Sequence, residues 1–396
     1  MTAARDRLDR LRLSLLVEPG DTRLCSLLGT YRPGEIVAAL HADGQLGGTP
    51  LPEPWRVRAA RTADDNDEAR AVLVTARQQA MRWVCPGDSE WPDGLGDLDL
   101  VRPINQSRGA PLGLWVRGRL RLAAALERSV AVVGARDATT YGCEVAGDLA
   151  ADLADDGITV VSGAAYGIDS CAHRGALALQ GPTVAVLACG ADVDYPRAHS
   201  GLLARIADQG LVVSEQPPGQ TPTKGRFLTR NRLIAALSRG TVVVEAARRS
   251  GALNTLNWAA EIGRVAMGVP GPVTSQASVG VHQSLRSGQS VLVTSGAEVI
   301  EAVGEIGRFD ATLPGAPATD YDTLPEAMKV VLEAVPAGIA ATAETIAATV
   351  PCAVEDSRTV LEVLAERGWV QAVEGGWRLA RRADLSVGRL PRTVTT

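Results

Sequence analysis

Seven short apolar runs alternate with helical patterns between residues 129 and 308, and this alternation restricts the fold more than any other feature. The runs are VAVVGA (130–135), ITVVSG (158–163), TVAVLACG (183–190), LVVSE (211–215), TVVVEA (241–246), RVAMGVPG (264–271) and SVLV (290–293). Because they are apolar almost throughout, they predict strands buried on both faces of a mostly parallel sheet. The pattern predicts an α/β protein with an extended, Rossmann-like, doubly wound sheet.

The flanking sequence predicts smaller parts on either side of the sheet. Short helical patterns interrupted by Gly and Pro predict an N-terminal helical domain, joined to the sheet by a connector at 79–128. After the sheet, a stretch rich in Pro, Gly and Asp is typical of a linker, and three helical patterns followed by WVQAVEGGWRLA, a hairpin with a Gly-Gly turn, predict a winged helix. The predicted divisions are the helical domain 1–78, the central domain 79–308 with its connector, the linker 309–322, the winged helix 323–382 and a tail 383–396.

Composition excludes several classes of protein. With 46% hydrophobic and 21% charged residues the chain has the composition of a globular protein, and no apolar run approaches the roughly 20 residues of a membrane span. MTAARDRLDRLRLSLL carries acids among its arginines and lacks the apolar core of a signal peptide, so we expect a cytoplasmic protein. The six cysteines include no CxxC pair; we interpret them as small core residues and expect no metal site.

The net charge of −5 hides a local basic patch. No acidic residue occurs between Gln216 and Val244, although five basic residues do. They are Lys224, Arg226, Arg230, Arg232 and Arg239. A basic patch in a nearly neutral protein is typical of an anionic partner such as nucleic acid.

Ligands of doubly wound sheets bind beyond the carboxyl ends of the strands, so the loops after the strands hold the candidate site. In the first loop, GARDATTYG, Gly134 makes the turn and Arg136 stands where a dinucleotide-binding fingerprint needs glycine. A forked cation there suits a phosphate held at a helix N-terminus without a dinucleotide. A purely structural arginine is the alternative.

The second loop predicts an anion-binding turn. Ser162, Gly163 and Gly167 precede a helix and would expose backbone N–H groups to a phosphate. Asp169 is either a helix N-cap or a functional acid. His173 has no second histidine or acid at metal-ligand spacing, and we interpret it as a packed structural residue.

The third loop, KGRFLTRNR at 224–232, carries the strongest signal. Its cations surround Phe227, one of two phenylalanines in the chain, which lies outside any apolar periodicity. A base can stack on such a ring while cations contact phosphates, as in many proteins that bind single-stranded nucleic acid. The alternative is that Phe227 anchors the loop by burial on the sheet. The fourth loop adds a hydroxyl- and amide-rich helix start: Ser250, Gly251, Asn254 and Thr255.

Signatures of catalysis are missing from the sequence. It contains no GxxxxGK[ST], GxSxG, HExxH or complete GxGxxG motif, and no nucleophile can be paired with a base. We therefore expect binding chemistry, with no catalytic residue and no cofactor.

Five blocks of sequence between residues 80 and 303 resemble, in order, the DNA processing protein A family (DprA, also called Smf). They are GARDATTYG, VVSGAAYGIDSCAHRGAL, VLACGADVDYPRAHSGLL, FLTRNRLIAALSRGTVVVEAARRSGALNT and AMGVPGPV. The resemblance implies three parts: an N-terminal SAM-like (helix-hairpin-helix-like) domain, a Rossmann-like domain and a C-terminal winged helix. It also implies a bacterial, non-enzymatic protein of natural transformation that protects incoming single-stranded DNA and helps load the RecA recombinase. Family members usually form homodimers, and we expect one through the Rossmann-like domain.

The resemblance assigns roles residue by residue. Arg136 matches the arginine of the family's GxR block. The family's basic and aromatic DNA-contacting stretch corresponds to Lys224, Phe227, Arg230 and Asn231. Its phosphate-facing turns correspond to Gly134, Ser162, Gly163, Ser250 and Gly251.

Three positions depart from the family pattern. Tyr166 stands where the family usually has Lys or Arg, Leu228 replaces a proline, and Val281-His282 replaces Thr-Asn. We keep Tyr166 among the candidate DNA contacts because its ring can stack on a base. Arg226, Arg232, Asn254 and Thr255 complete the predicted DNA-binding set.

Other interpretations remain open from the sequence. VVVEAARRSGALNT is similar to nucleotide phosphoribohydrolases of the cytokinin-activating type through a Gly-rich loop and Glu245, although their PGGxGT pattern is missing. The C-terminal segment is acidic, so we expect it to serve protein contacts or regulation rather than DNA binding. A dimer seam around Leu253, Leu256 and Trp258 is a candidate, with ordinary sheet packing as the alternative.

Overall fold

The computed structural model describes residues 3–62, 65–304, 320–321, 323–351 and 353–380. The strands are β1 (Gln45–Leu46), β2 (Thr49–Pro50), β3 (Met81–Val84), β4 (Leu114–Arg117), β5 (Ser129–Val133), β6 (Thr159–Ser162), β7 (Thr183–Leu187), β8 (Leu211–Ser214), β9 (Gly240–Val243), β10 (Val265–Gly268), β11 (Val291–Leu292), β12 (Val370–Val373) and β13 (Gly376–Leu379). The helices are α1 (Ala3–Leu16), α2 (Thr22–Leu28), α3 (Pro33–His41), α4 (Glu53–Arg61), α5 (Asp65–Gln78), α6 (Leu122–Leu126), α7 (Thr140–Asp155), α8 (Ile168–Ala178), α9 (Ser200–Gln209), α10 (Lys224–Ala236), α11 (Gly251–Glu261), α12 (Val279–Arg286), α13 (Gly296–Val303), α14 (Glu326–Glu333), α15 (Ala343–Ala347) and α16 (Val354–Glu366).

The large sheet has the strand order β11-β10-β9-β5-β6-β7-β8-β4-β3 within the described residues. From β11 to β8 every pairing is parallel, while β4 and β3 are antiparallel. All seven predicted strands are present, and the predicted α/β fold with a large, mostly parallel sheet is confirmed. The chain reverses its direction of travel across the sheet between β5 and β9, which is where such folds open a crevice for ligands.

The parallel strands β5 to β10 are buried almost throughout, as the apolar runs predict, whereas the edge strand β11 is exposed. In β5, Ala131 and Val133 belong to the apolar cluster under α10 and α11, whereas Val130 and Val132 belong to the cluster under α7, α8 and α13. The candidate dimer seam is wrong, because Leu256 and Trp258 are fully buried in the first of these clusters.

The connector contributes β3 and β4, which the sequence analysis did not identify as strands. Trp83 on β3 lies opposite Trp115 on β4, with ring centroids 4.9 Å apart. Leu11 of α1 and Ala76 of α5 pack in the same cluster as these two rings. The N-terminal helices and the sheet consequently belong to one compact unit, residues 1–311.

Residues 312–396 form the second compact unit, which has its own apolar cluster. The predicted order of three helices and a hairpin is present as α14, α15, α16, β12 and β13. Gly375, with φ of +94°, lies in the turn between the two strands, and Gly376, with φ of +134°, begins β13; a residue with a Cβ would be strained at either position. The predicted linker, apart from residues 320–321, and the predicted tail lie outside the described residues.

One pair of cysteines corrects our interpretation of all six as small core residues. Cys143 on α7 and Cys171 on α8 form a disulfide, with their Cα atoms 5.4 Å apart. Cys85 and Cys189 are buried thiols, and burial raises the pKa of each to about 11. None of the described helices has the length and apolar character needed to cross a membrane.

Candidate nucleic-acid interface

A cavity of about 600 Å³ opens at the carboxyl ends of the strands, beside the crevice between β5 and β9. Loops after β5, β6, β7, β8 and β9 all contribute to it. Its predicted lining residues are Gly134, Arg136, Lys224, Phe227, Arg230, Asn231, Ser250, Gly251 and Thr255. The structure therefore brings together residues from all four predicted loops, since Ala165 and Asp169 of the second loop also line the cavity, and these residues span more than 100 positions of the sequence.

Helix α10 begins with an exposed cation at the cavity. Thr223 caps the helix by accepting a hydrogen bond from the Arg226 N–H, and Lys224 is the first helical residue. The positive end of the helix dipole disfavours a lysine at this position. Lys224 has no ion pair or hydrogen bond within the described part of the chain, so no protein group offsets its unfavourable interaction with the helix dipole. A bound anion would offset it.

Phe227 lies one turn further along α10, is partly buried, and lines the cavity beside two guanidinium groups and a second aromatic ring. The Arg136 guanidinium lies 4.5 Å from its ring centroid and that of Arg230 lies 5.9 Å away. The Tyr195 ring is 5.7 Å from it, tilted by 50°. Arg136 is exposed and has no carboxylate partner among the described residues. The interpretation of Phe227 as a loop anchor on the sheet is thus wrong.

Arg230 and Asp169 form the buried floor of the cavity. Arg230 donates to the carbonyl oxygens of Val186 and Gly163, the latter at 2.9 Å, and burial lowers its pKa to about 10, so it stays charged at neutral pH. Asp169 accepts backbone N–H groups from Gly163 at 3.1 Å and Ala165 at 3.4 Å. Burial raises the pKa of Asp169, while the charge of Arg230 and these hydrogen bonds oppose that rise.

These contacts correct the predicted anion-binding turn. The Gly163 N–H is already used by Asp169, and a Cβ at Gly163 would lie 2.5 Å from the Arg230 guanidinium, so glycine serves close packing there. Ser162 is fully buried, with its hydroxyl donating to the Val132 carbonyl at 2.7 Å. We therefore remove Ser162 and Gly163 from the direct phosphate contacts.

Two arginines of the basic patch are also occupied. Arg232 is completely buried and makes two 2.7 Å hydrogen bonds to the Glu215 carboxylate. Arg226 pairs with Glu18 of the N-terminal region at 2.9 Å. Neither lines the cavity, so Arg232 serves the fold and Arg226 joins α10 to the loop after α1.

Amide and hydroxyl groups fix the start of α11 next to α10. Asn231 donates to the Gly251 carbonyl at 3.1 Å and to the Asn254 side chain at 3.2 Å. Ser250 caps α11 by accepting the Ala252 N–H at 3.3 Å. Asn254 and Thr255 are buried; Thr255 reaches the cavity, whereas Asn254 supports Asn231 from behind.

The remaining candidates lie beside the cavity or beneath it. Tyr166 is 50% exposed and contacts the edge of His199, with ring centroids 4.8 Å apart, but it does not line the cavity. His173 is fully buried with Nδ1 2.7 Å from the Thr183 hydroxyl, and burial lowers its pKa to about 3. The interpretation of His173 as a packed structural residue is confirmed.

Sequence reasoning missed Tyr195, which lines the cavity and is 41% exposed. The available signal was an aromatic residue in the loop after β7, within DVDYPRAH. That loop carries no basic cluster, so its sequence alone did not indicate a contact with DNA. Among the described residues no cluster of three or more potential metal ligands is present.

A larger cavity of about 920 Å³ lies at the N-terminal helices, but its cations already have partners. Arg10 pairs with Asp6 at 2.8 Å, and Arg108 donates to the Asp99 carbonyl at 2.6 Å. This cavity is therefore a weaker anion site than the one at Arg136 and Lys224.

Comparison with known proteins shows which family the chain resembles. The family model of DNA recombination-mediator protein A matches residues 82–304, which include every loop of the cavity. A putative DNA processing protein DprA of Mycobacterium tuberculosis is 43% identical over 380 residues, covering 93% of each chain. The chain belongs to the DprA/Smf family. Protein Smf of Escherichia coli is 34% identical over 77% of this chain and 79% of its own.

A solved structure extends the DprA/Smf likeness to three dimensions. DNA processing protein A from Streptococcus pneumoniae superposes with a TM-score of 0.61 and 31% identity, over 74% of this chain and 97% of that one. DNA processing is thus the role for which the Mycobacterium tuberculosis and Streptococcus pneumoniae relatives are named.

Proposed function

We propose that this protein binds and protects single-stranded DNA and helps load RecA onto it during natural transformation, without catalysing a reaction. The observation that carries the proposal is the cavity in which two exposed cations, Arg136 and Lys224, flank the rings of Phe227 and Tyr195. Cations beside aromatic rings bind phosphates and unstacked bases together, which is the chemistry of single-stranded nucleic acid.

The aromatic rings of the site favour single strands over duplex. They line an open cavity, and only a base that has left its own stack can lie on them. A paired base is held inside its own stack, whereas an unpaired base pays no such unpairing cost.

The acids near the cavity have structural partners, which supports a non-catalytic role. Glu245, the residue that suggested a phosphoribohydrolase, is buried and accepts from the Thr139 N–H at 2.9 Å and hydroxyl at 2.5 Å. It fixes the start of α7, and Asp169 is likewise used by backbone N–H groups. Release of base from nucleoside monophosphates would contradict this part of the proposal.

Family membership supports the finer parts of the proposal. We assign a SAM-like domain to the N-terminal helices, a winged helix to the second unit and a homodimer to the Rossmann-like domain. The edge strand β11 suits a dimer contact, because Val291 and Leu292 are 58% and 51% exposed and one side of the strand has no partner among the described residues. Unpaired edges of this kind readily accept another strand.

Fluorescence anisotropy with a labelled oligo-dT tests the DNA-binding proposal. We expect tight binding at low salt that weakens as salt rises, with a log–log slope of about −0.7 per phosphate contacted. An unlabelled duplex of equal length should compete poorly. Absence of binding at low salt, or equal competition by duplex, contradicts the proposal.

A further inference from the structure

The two rings in the cavity differ in what already covers them. Two guanidinium groups, those of Arg136 and Arg230, lie over the Phe227 ring, and Phe227 is partly buried. Tyr195 has no cation over its ring within the described structure, and 41% of the residue is accessible. An incoming base therefore meets an uncovered surface on Tyr195 and an occupied one on Phe227.

The spacing of the rings also decides where a base can lie. Their centroids are 5.7 Å apart at a tilt of 50°, which is the geometry of two aromatic side chains in direct contact. A base cannot be inserted between rings that already touch. Only the side of Tyr195 that faces away from Phe227 is available for stacking.

We propose that Tyr195 is the residue on which an unpaired nucleobase stacks, with Phe227 as the ring that supports it from behind. The inference rests on the proposed single-strand binding and names the contact that recognises the base. Since a phenol ring offers stacking to every base, the contact should tolerate any sequence.

The segment that carries Tyr195 is held firmly from its other end. Four residues further on, His199 is buried, its Nδ1 lies 3.0 Å from the Ala164 carbonyl oxygen, and its ring contacts Tyr166. A fixed ring loses little conformational freedom when a base stacks on it. The segment thus provides a pre-formed platform at the cavity.

This arrangement divides DNA binding between two sets of residues. Arg136 and Lys224 meet phosphates, and their contribution falls as salt rises. Stacking on Tyr195 releases no counterions, so its contribution should not change with salt. The two contributions can therefore be separated by experiment.

Anisotropy on Tyr195→Leu and Tyr195→Phe tests the assignment. We expect Y195L to lose roughly tenfold in affinity for oligo-dT, with an unchanged salt slope, and Y195F to bind within twofold of the wild type. The matched control is Tyr141→Leu, because Tyr141 is 38% exposed but lies outside the cavity lining. Y141L should bind as the wild type does.

An abasic scan identifies the base that stacks. The affinity of the wild-type protein should fall about tenfold when the base is missing from one position of the oligonucleotide. The affinity of Y195L should not fall further when that same base is missing. Unchanged affinity of Y195L, a changed slope, or an equal abasic loss in both proteins overturns the assignment. If the wild type itself does not bind oligo-dT, it is the proposed function that fails.

Photocrosslinking of the wild-type protein requires no variant to fold. An oligonucleotide with 5-iododeoxyuridine at the position found in the scan should crosslink to the peptide that contains Tyr195, as read by mass spectrometry. A crosslink to the Phe227 peptide with none at Tyr195 overturns the assignment.

Discussion

Individual basic residues of one short segment have different roles, although they look alike in sequence. Arg232 pairs with Glu215 and Arg226 pairs with Glu18. Arg230 is buried in the cavity floor against backbone carbonyls, so Lys224 is the exposed cation of the segment at the cavity. A charge pattern cannot reveal this, because Glu18 lies about 200 positions away. The sequence correctly predicted that this loop lies at the carboxyl ends of the strands, but it could not distinguish exposed cations from paired or buried ones.

The exposed cations should set the salt dependence of DNA binding. Arg136→Ala and Lys224→Ala should each weaken binding and reduce the log–log salt slope by about 0.7, because each removes one phosphate contact. The matched control is Arg239→Ala. Arg239 is exposed, but it directly precedes β9 and so lies at the amino ends of the parallel strands, opposite the cavity. Anisotropy titrations between 50 and 200 mM salt, about the range over which such contacts weaken, measure the slopes. Equal slopes in all four proteins would remove the two residues from the interface.

Arg232 should matter for stability and not for DNA contact. Arg232→Met leaves the buried Glu215 carboxylate without its partner, so the free energy of unfolding should fall by about 3–5 kcal/mol. Removing both charges, as in R232M/E215L, should recover a large part of the loss. Denaturant titration gives these energies, and a fully stable R232M would show that the pair contributes little.

Whole elements followed from the sequence more reliably than side-chain contacts did. The parallel strands β5 to β10 were predictable because strands buried on both faces leave continuous apolar runs. β3 and β4 were missed because they border a connector dense in Gly and Pro, outside the regular alternation of apolar runs and helical patterns. That the loops come together could be predicted, because the carboxyl ends of parallel strands lie at the same end of the sheet. The position of the Tyr195 side chain could not be predicted, because it depends on packing between loops.

The contact between α8 and β7 should make stability sensitive to acid. His173 on α8 faces the Thr183 hydroxyl on β7, and burial first, then the nearby charges of His199, Arg230 and Arg174, lower its pKa to about 3. The unfolded chain binds a proton at this histidine below about pH 6.5, whereas the folded chain does not. The contribution of neutral His173 to the free energy of unfolding is thus complete above pH 6.5. It is lost as the pH falls toward 3, by roughly 1 kcal/mol per pH unit.

Denaturant titrations between pH 4 and 7 on the wild type and His173→Gln test this acid sensitivity. The glutamine can still hydrogen-bond to Thr183 but carries no titrating group, so the difference in stability between the two proteins should change with pH. Asp169, whose pKa is raised, titrates in both proteins and cancels from the difference. A difference that stays constant over this range would contradict the prediction.

At the scale of the whole molecule, charge is divided unevenly between the two units. Residues 316–380 contain ten acidic and four basic residues, so the acidic excess of the chain lies there. The cavity with Arg136 and Lys224 lies wholly in the first unit, and the apolar cluster of the second unit uses its own residues alone. The DNA site and the second unit should therefore be separable.

Deleting residues 316–396 should leave oligonucleotide affinity within about threefold of the full chain at 0.15 M salt, because every residue that lines the cavity belongs to the first unit and salt at this concentration weakens repulsion by exposed acidic side chains. At low salt the truncated protein should bind slightly tighter, since a net negative unit that repels phosphate has been removed. Thermal unfolding of the truncated protein checks that the first unit remains folded. A tenfold loss of affinity with the fold intact would mean that the acidic unit contacts DNA directly, and the division of roles between the two units would then be wrong.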